Sequence, residues 1–149
     1  MIKNLFHLFF LCFLCNTLIA DTSLIVYSDT TSLSVIGDKI RILEDKTGKL
    51  TLKEVITSNN FEISKSKNPN LGVSNSTFWI NFSLKNTTNS EHLLLELAYP
   101  LIDEAVFYSP MPDKSYSIQK ITKSEVFSKR RYQHQNYIFD VHVPKNEIQ

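Results

Sequence analysis

The chain has 149 residues, with 16 Lys and Arg against 15 Asp and Glu, and its two cysteines are Cys12 and Cys15. The near balance of charge argues against nucleic acid as a partner, because phosphate binding needs a clear basic surplus. After Cys15 the sequence contains no cysteine, which excludes disulfides and cysteine-based zinc sites from that part of the chain.

The first residues have the pattern of an export signal. A lysine precedes an apolar run from Leu5 to Leu14, and the segment ends at the small residue Ala20. This segment is shorter than the roughly 18–20 residues that span a bilayer, which favours a cleaved signal peptide over an anchor. We predict a signal peptide at 1–20, an N-terminal lead-in at 21–38 and one exported domain at 39–149.

Apolar residues then recur in rows that turn residues separate. The rows are Ile40 and Ile42; Phe78, Ile80, Phe82 and Leu84; Leu93, Leu95, Leu97 and Tyr99; Val106, Phe107 and Tyr108; Tyr116, Ile118 and Ile121; and Tyr137, Phe139, Val141 and Val143. Side chains of a strand alternate between its two faces, so the alternating rows predict buried strand faces. Several short strands in sequence favour an antiparallel sandwich or barrel over a β–α–β fold.

Two local signals fall between these rows. Thr51 and Glu54 have the spacing of a capping box, which predicts a helix of one or two turns. The polar stretch 86–90 predicts a hairpin connection between the strands on either side of it. Residues 59–75 are rich in Asn, Ser and Lys, and we predict a surface loop there.

Four segments together resemble a known family. They are 43–52 (LEDKTGKLTL), 76–86 (STFWINFSLKN), 95–104 (LELAYPLIDE) and 127–130 (FSKR) followed by His134 and Phe139. Their order and spacing resemble the type-2 extracellular domain of bacterial seven-transmembrane receptors with diverse intracellular signalling modules. The resemblance covers most of the chain after the predicted signal peptide.

The resemblance implies an all-β fold, a jelly-roll-like antiparallel β-sandwich like those of carbohydrate-binding modules, with one short helix. It also implies a periplasmic ligand sensor, tethered to the inner membrane by seven helices that lead to a diguanylate cyclase or histidine kinase. Neither the helices nor such an output module is present in this sequence. Because the family domain continues past the position of Gln149, we expect the sandwich to lack its last strand or strands. A sandwich that lacks an edge strand exposes unpaired backbone groups.

The predicted function is therefore non-enzymatic binding of a small ligand, a carbohydrate or another envelope-derived molecule. The sequence contains no HExxH motif, glycine-rich phosphate loop or nucleophile motif, and we expect neither a metal nor a cofactor. Asp103 and Glu104 would point to opposite faces of a strand, which is poor geometry for a hydrolase. The alternative is a free-standing exported module that contacts another protein through an edge strand.

Trp79 and Asn81 are the first candidate ligand-binding residues. Trp79 alternates with polar neighbours, so two interpretations are open: a flat aromatic platform for a sugar, or a ring packed on the far side of the sheet. Packing is favoured, because tryptophan is heavily buried on average. Relatives usually have a basic residue at the position of Asn81, so the resemblance implies a neutral or weakly bound ligand here.

Asp103, Arg130 and His134 are the other candidates. Asp103 stands at a strand junction, where an aspartate binds a ligand or calcium, caps backbone N–H groups, or pairs with an arginine. We expect a buried ion pair between Asp103 and Arg130. His134 lies in a polar connection, where it is solvated, lines a pocket or senses pH.

Overall fold

The computed structural model describes residues 24–29, 34–99 and 101–149. The predicted signal peptide at 1–20, with Cys12 and Cys15, lies outside the described residues. Within the described ranges, no helix has the length and apolar character needed to span a membrane. The described residues form the strands β1 (Leu24–Tyr27), β2 (Arg41–Asp45), β3 (Glu62–Ile63), β4 (Thr77–Asn81), β5 (Ser83–Asn86), β6 (His92–Leu97), β7 (Glu104–Pro110), β8 (Tyr116–Thr122) and β9 (Tyr137–His142).

The predicted all-β class with one short helix, α1 (Leu52–Ile56), is confirmed. These strands pair in small sheets: β3-β2-β4, β6-β9 and β7-β8 are antiparallel, whereas β1 and β5 run parallel. β1 lies within the predicted lead-in, so that segment contributes a strand to the fold.

The capping box at the start of α1 forms as the sequence predicts. The Thr51 hydroxyl accepts from the backbone N–H of Glu54 at 3.4 Å, and the Glu54 carboxylate accepts from the backbone N–H of Thr51 at 2.8 Å. These two bonds satisfy donors that the first turn of a helix leaves without intrahelical partners. The helix ends after five residues, as expected.

The turn that follows β2 is organised by Asp45, which is buried. Its carboxylate accepts hydrogen bonds from the hydroxyl and N–H of Thr47 and from the N–H groups of Gly48 and Leu50. The hydrogen bond from the Thr47 hydroxyl, then that from the Leu50 N–H, lowers the pKa of Asp45 below its ordinary value of 3.8. Asp45 is therefore ionised at neutral pH and holds the chain in the turn.

The largest group of core residues lies on one face of β9 and directly after it. The four apolar residues predicted as one face of β9 are all buried: Tyr137, Phe139, Val141 and Val143. Leu93, Leu95 and Leu97 lie opposite members of this row in the β6–β9 ladder. Phe107 of β7 contacts Phe139, with 5.6 Å between ring centroids, so the β7–β8 hairpin packs onto the same row. The alternation in the sequence thus identifies the buried face of β9 correctly.

The predicted hairpin around 86–90 is wrong. β5 pairs with β1 on one side and with the C-terminal residues 146–149 on the other, while β6 pairs with β9. Leu84 and Gln149 exchange backbone hydrogen bonds of 2.7 and 3.0 Å. A polar stretch signals a change of direction but does not select which strands pair, because distant partners compete with the neighbouring one.

Asn86 ties this connection to the end of β9 and is fully buried. Its Nδ2 donates to the carbonyl oxygens of Ser90 at 2.8 Å and Val143 at 2.7 Å. Its Oδ1 accepts from the N–H and the hydroxyl of Thr88. One side-chain amide therefore bonds two carbonyls and two donors, and its bonds to the Val143 carbonyl and to Thr88 are buried.

We expect Asn86→Ala to lower the free energy of unfolding by about 3 kcal/mol, because it leaves several buried polar groups unsatisfied. Urea denaturation followed by circular dichroism measures this loss. Asn89→Ala is the matched control from the same connection, since Asn89 is exposed and its side chain accepts an exposed hydrogen bond from Lys145. Equal losses in the two variants would contradict the role given to Asn86.

Candidate functional site

A cavity of about 260 Å³ lies between β8, β9 and the connection that joins them. Its walls are lined by Gln119, Lys120, Ile121, Glu125, Arg130, Arg131, Tyr132, Asn136, Tyr137, Ile138 and Asp140. Most of these side chains carry a hydrogen-bonding group, and two are tyrosines. Such a wall suits a small polar ligand that also presents a flat or apolar face.

Arg130 is the unusual residue of this cavity. Its guanidinium carbon lies 5.1 Å from the ring centroid of Tyr137 and 5.9 Å from that of Phe127. Its Nη1 donates to the carbonyl oxygen of His134 at 3.3 Å, while its Nε is buried and finds no acceptor in the described part of the chain. A guanidinium offers five N–H donors, so most of the hydrogen-bonding capacity of Arg130 is left for another molecule.

The neighbouring arginine, by contrast, is paired. Arg131 Nη1 lies 2.8 Å from Asp140 Oδ2, and the Tyr132 hydroxyl donates to Asp140 Oδ1 at 2.7 Å. The hydrogen bond to the Asp140 carboxylate raises the pKa of Tyr132 above its ordinary value of 10.0, so the phenol keeps its proton at neutral pH. Asp140 Oδ1 is therefore hydrogen-bonded, whereas Oδ2 is buried and held only by the charge of Arg131, without a hydrogen bond from the described residues. No ion pair in the described part of the chain joins Arg130 to a carboxylate.

Gln119 and Tyr137 fix the floor of the cavity. The Gln119 side-chain amide donates to the carbonyl oxygen of Asp140 at 2.7 Å, and its oxygen accepts from the Asp140 N–H at 3.0 Å. The Tyr137 hydroxyl donates to the carbonyl oxygen of Ile102 at 2.7 Å. These contacts hold β8 and the start of β7 against β9, so the cavity is bounded by fixed backbone rather than by loose side chains alone.

Arg130 and His134 are brought together, as two of the five candidate residues. The backbone of His134 accepts from Arg130, and its Nδ1 accepts from the N–H of Asn136 at 3.2 Å. The same Nδ1 lies 4.0 Å from a carboxylate oxygen of Glu96. Because that nitrogen is already an acceptor, we assign it to the bond from Asn136 rather than to an ion pair.

The predicted buried pair of Asp103 and Arg130 is wrong. The side chain of Asp103 is 90% exposed, and its carboxylate lies 3.5 Å from Lys123 Nζ. Asp103 precedes β7 at the surface, where an ion pair contributes little to stability. Asp103 and Arg130 both occur in segments that resemble the family, but they lie at separate positions in the fold.

Trp79 is half-buried and packs against an aromatic ring, and its indole Nε1 is buried without an acceptor among the described residues. Its ring centroid lies 6.0 Å from that of Tyr108 on β7, with 25° between the ring planes. In the β2–β4 ladder Trp79 lies opposite Leu43, which is buried, whereas Ile80 is 43% exposed. The face of Trp79 therefore points inward, because the inward residues of β2 set the orientation of β4. On the face that the sequence predicts as buried, Ile80 is exposed and Phe78 is half-buried.

Asn81 lies at the end of β4 and is held by an arginine. Its Oδ1 accepts from Arg41 Nε at 3.2 Å and from Arg41 Nη2 at 2.6 Å. Arg41 is its partner across the ladder and also lies over the ring of Phe61. The positive charge beside Asn81 thus belongs to Arg41 on β2, not to a residue of β4.

A second concavity, of about 510 Å³, lies between β2, β3 and α1. It is lined by Ile42, Leu43, Glu44, Leu50, Glu54, Ser58, Asn60, Glu62, Ile63, Ser64 and Leu71. Two of its three carboxylates already accept from hydroxyl groups, Glu44 from Ser76 and Glu54 from Thr51. It contains none of the five candidate residues, and we place the candidate site at the cavity of Arg130.

The sequence profile of 7TMR-DISM extracellular 2 matches residues 37–149, which is more than half of the chain. The chain belongs to this family. Members of 7TMR-DISM extracellular 2 are periplasmic sensor domains of membrane receptors, so the domain is exported. No curated protein and no solved structure gives a significant match to the chain.

Most of the residues around Arg130 were not among the sequence-based candidates. No sequence motif surrounds Gln119, Tyr132, Asn136 or Asp140. Pairing between distant segments of the chain places these residues at the cavity. Tyr137 was marked by the sequence pattern, because it begins the alternating apolar row of β9. That row predicts a buried core residue rather than a ligand-binding residue. Strand alternation alone could have placed Asp140 on the face of β9 away from the core.

We expect Trp79, the only tryptophan, to show blue-shifted fluorescence and weak quenching by acrylamide, as a packed indole does. Trp79→Ala is expected to cost about 3 kcal/mol of unfolding free energy, and Trp79→Phe less, because phenylalanine refills most of the volume. Chemical denaturation measures both losses. Emission like that of free tryptophan in water would contradict the packing role.

Proposed function

We propose that this domain is the ligand-sensing part of a membrane-tethered receptor, and that its ligand binds in the cavity of Arg130. The ligand is a small hydroxylated acid, such as a sugar acid released from the cell envelope. The observation that supports this proposal is the guanidinium of Arg130, which faces a cavity, has a buried N–H without an acceptor in the described residues, and is stacked on aromatic rings.

The chemistry of the walls favours a carboxylate joined to hydroxyl groups. A guanidinium binds a carboxylate through two parallel hydrogen bonds, and stacking on Tyr137 holds its plane in one orientation. Glu125 also lines the cavity, and no ion pair within the described chain engages it, so its oxygens can accept from ligand hydroxyls. The volume of about 260 Å³ fits a single sugar ring rather than a long chain.

Signalling requires that the ligand bind one arrangement of the domain more tightly than another. The cavity is formed by β8, β9 and the connection between them, and Arg130 lies on that connection. A ligand that joins Arg130 to the wall formed by β8 would fix the connection against the sheet. We propose this ordering as the change that is passed to the membrane region.

The test is isothermal titration calorimetry with D-glucuronate and N-acetylmuramate, using D-glucose as the neutral probe. We expect the acids to bind in preference to glucose, and Arg130→Gln to weaken their binding about 10- to 100-fold, the worth of a hydrogen bond between charged groups. Lys129→Gln is the matched control, because it removes the adjacent, exposed positive charge that does not line the cavity.

Circular dichroism of each variant checks that the fold is retained. Equal weakening in the two variants would show that general charge, and not the cavity, attracts the acid. Binding of D-glucose that Arg130→Gln leaves unchanged, with no binding of either acid, would contradict the proposed ligand class.

A further inference from the structure

Two histidines face each other across the β6–β9 ladder, on the side of the sheet away from the core. His92 lies directly opposite His142, with 5.0 Å between their ring centroids and 39° between their planes. Both residues are exposed. The cavity of Arg130 uses neither of them, and His92 was not among the sequence-based candidates.

The register of the β6–β9 ladder places His92 and His142 at a non-hydrogen-bonded position, where facing side chains are closest. The N–H of Val143 donates to the carbonyl oxygen of Glu91, so those two residues form a hydrogen-bonded pair. Hydrogen-bonded and non-hydrogen-bonded pairs alternate along an antiparallel ladder, which makes His92 and His142 a non-hydrogen-bonded pair. Side chains approach one another most closely at such positions. The backbone therefore holds the two imidazoles side by side on rigid strands.

We propose that His92 and His142 form a binding site for a divalent transition metal ion that prefers imidazole ligands, Zn²⁺ or Cu²⁺. With metal–nitrogen bonds of about 2.0 Å, two ligating nitrogens of a tetrahedral site lie about 3.3 Å apart. Rings 5.0 Å apart can reach this spacing, because side-chain rotation brings one nitrogen of each ring toward the other. Imidazole suits both ions, and Cu²⁺ is bound more tightly than Zn²⁺ by a given nitrogen site.

The site supplies two protein ligands, and water completes the coordination. No group of three or more metal-ligating side chains forms in the described residues, which excludes a closed structural site there. The metal would join β6 to β9 across the sheet and so stabilise the folded chain by binding it in preference to the unfolded chain. This inference concerns a separate surface and does not depend on the ligand proposed for Arg130.

The test uses the chain expressed from its full sequence, purified as the host exports it and without a polyhistidine tag. Calorimetric titration with ZnCl₂ is expected to show one ion per chain. The melting temperature is expected to rise by about 5 °C when free zinc is tenfold above its Kd. With Cu²⁺, the electron paramagnetic resonance spectrum is expected to show nitrogen coordination.

His92→Gln and His142→Gln are each expected to lower zinc affinity at least about tenfold, since loss of even an outer-shell partner costs 10- to 100-fold. His134→Gln is the matched control, an exposed histidine outside the pair, and is expected to leave the affinity unchanged. Melting curves without metal verify folding of all three variants. The proposal is overturned if the unsubstituted chain binds no zinc at millimolar concentration, or if His134→Gln reduces affinity as much as His92→Gln.

Discussion

Strand β9 is bonded along one edge by β6 and at Asp140 on the other edge by Gln119, and the candidate site depends on this double constraint. One edge pairs with β6. On the other edge, the N–H and C=O of Asp140 point away from β6, because Asp140 and Leu94 form a non-hydrogen-bonded pair. The side-chain amide of Gln119 bonds to both groups, as the backbone of another strand would. A strand with both edges satisfied can be buried on one face without leaving backbone groups unpaired.

The two faces of β9 then serve different purposes. The inward row makes the core with β6 and β7, while Ile138 and Asp140 point outward to the cavity of Arg130. Tyr137 connects the two, since it is 1% exposed and its ring lies beneath the Arg130 guanidinium. The packing interactions that bury Tyr137 in the core therefore also fix the geometry of the candidate site. A ligand at Arg130 would meet a preformed floor made by β8 and β9, so that only the connection carrying Arg130 would become ordered on binding.

The sequence predicted those features in which neighbouring residues decide the structure. The row from Tyr137 to Val143 was identified correctly, because four apolar residues at alternate positions have no competing arrangement. The capping box of α1 formed because Thr51 and Glu54 are three residues apart, and short-range geometry is enough to join them. Arg130 and His134 were separate candidates, and their contact, which the sequence analysis did not predict, joins residues four positions apart in one connection.

Features that depend on pairing between distant segments were not predictable from the sequence. β4 has large side chains on both faces, so alternation could not choose between them, and Leu43 on β2 decided that Trp79 points inward. The hairpin at 86–90 was wrong because β5 finds its partners in β1 and in the C-terminal residues. Gln119 lies 21 residues from Asp140, and no local pattern marks a glutamine that completes the edge of a strand.

Hydrogen exchange of the β9 backbone amides, followed by NMR, measures whether the edge of β9 away from β6 is bonded. We expect the Asp140 amide, which points away from β6, to exchange as slowly as the amides of Phe139 and Val141, which the ladder register pairs with β6. We expect Gln119→Ala to make the Asp140 amide exchange fast while the amides paired with β6 stay protected. An Asp140 amide that already exchanges like an exposed loop amide in the unsubstituted protein would show that Gln119 does not hold this edge.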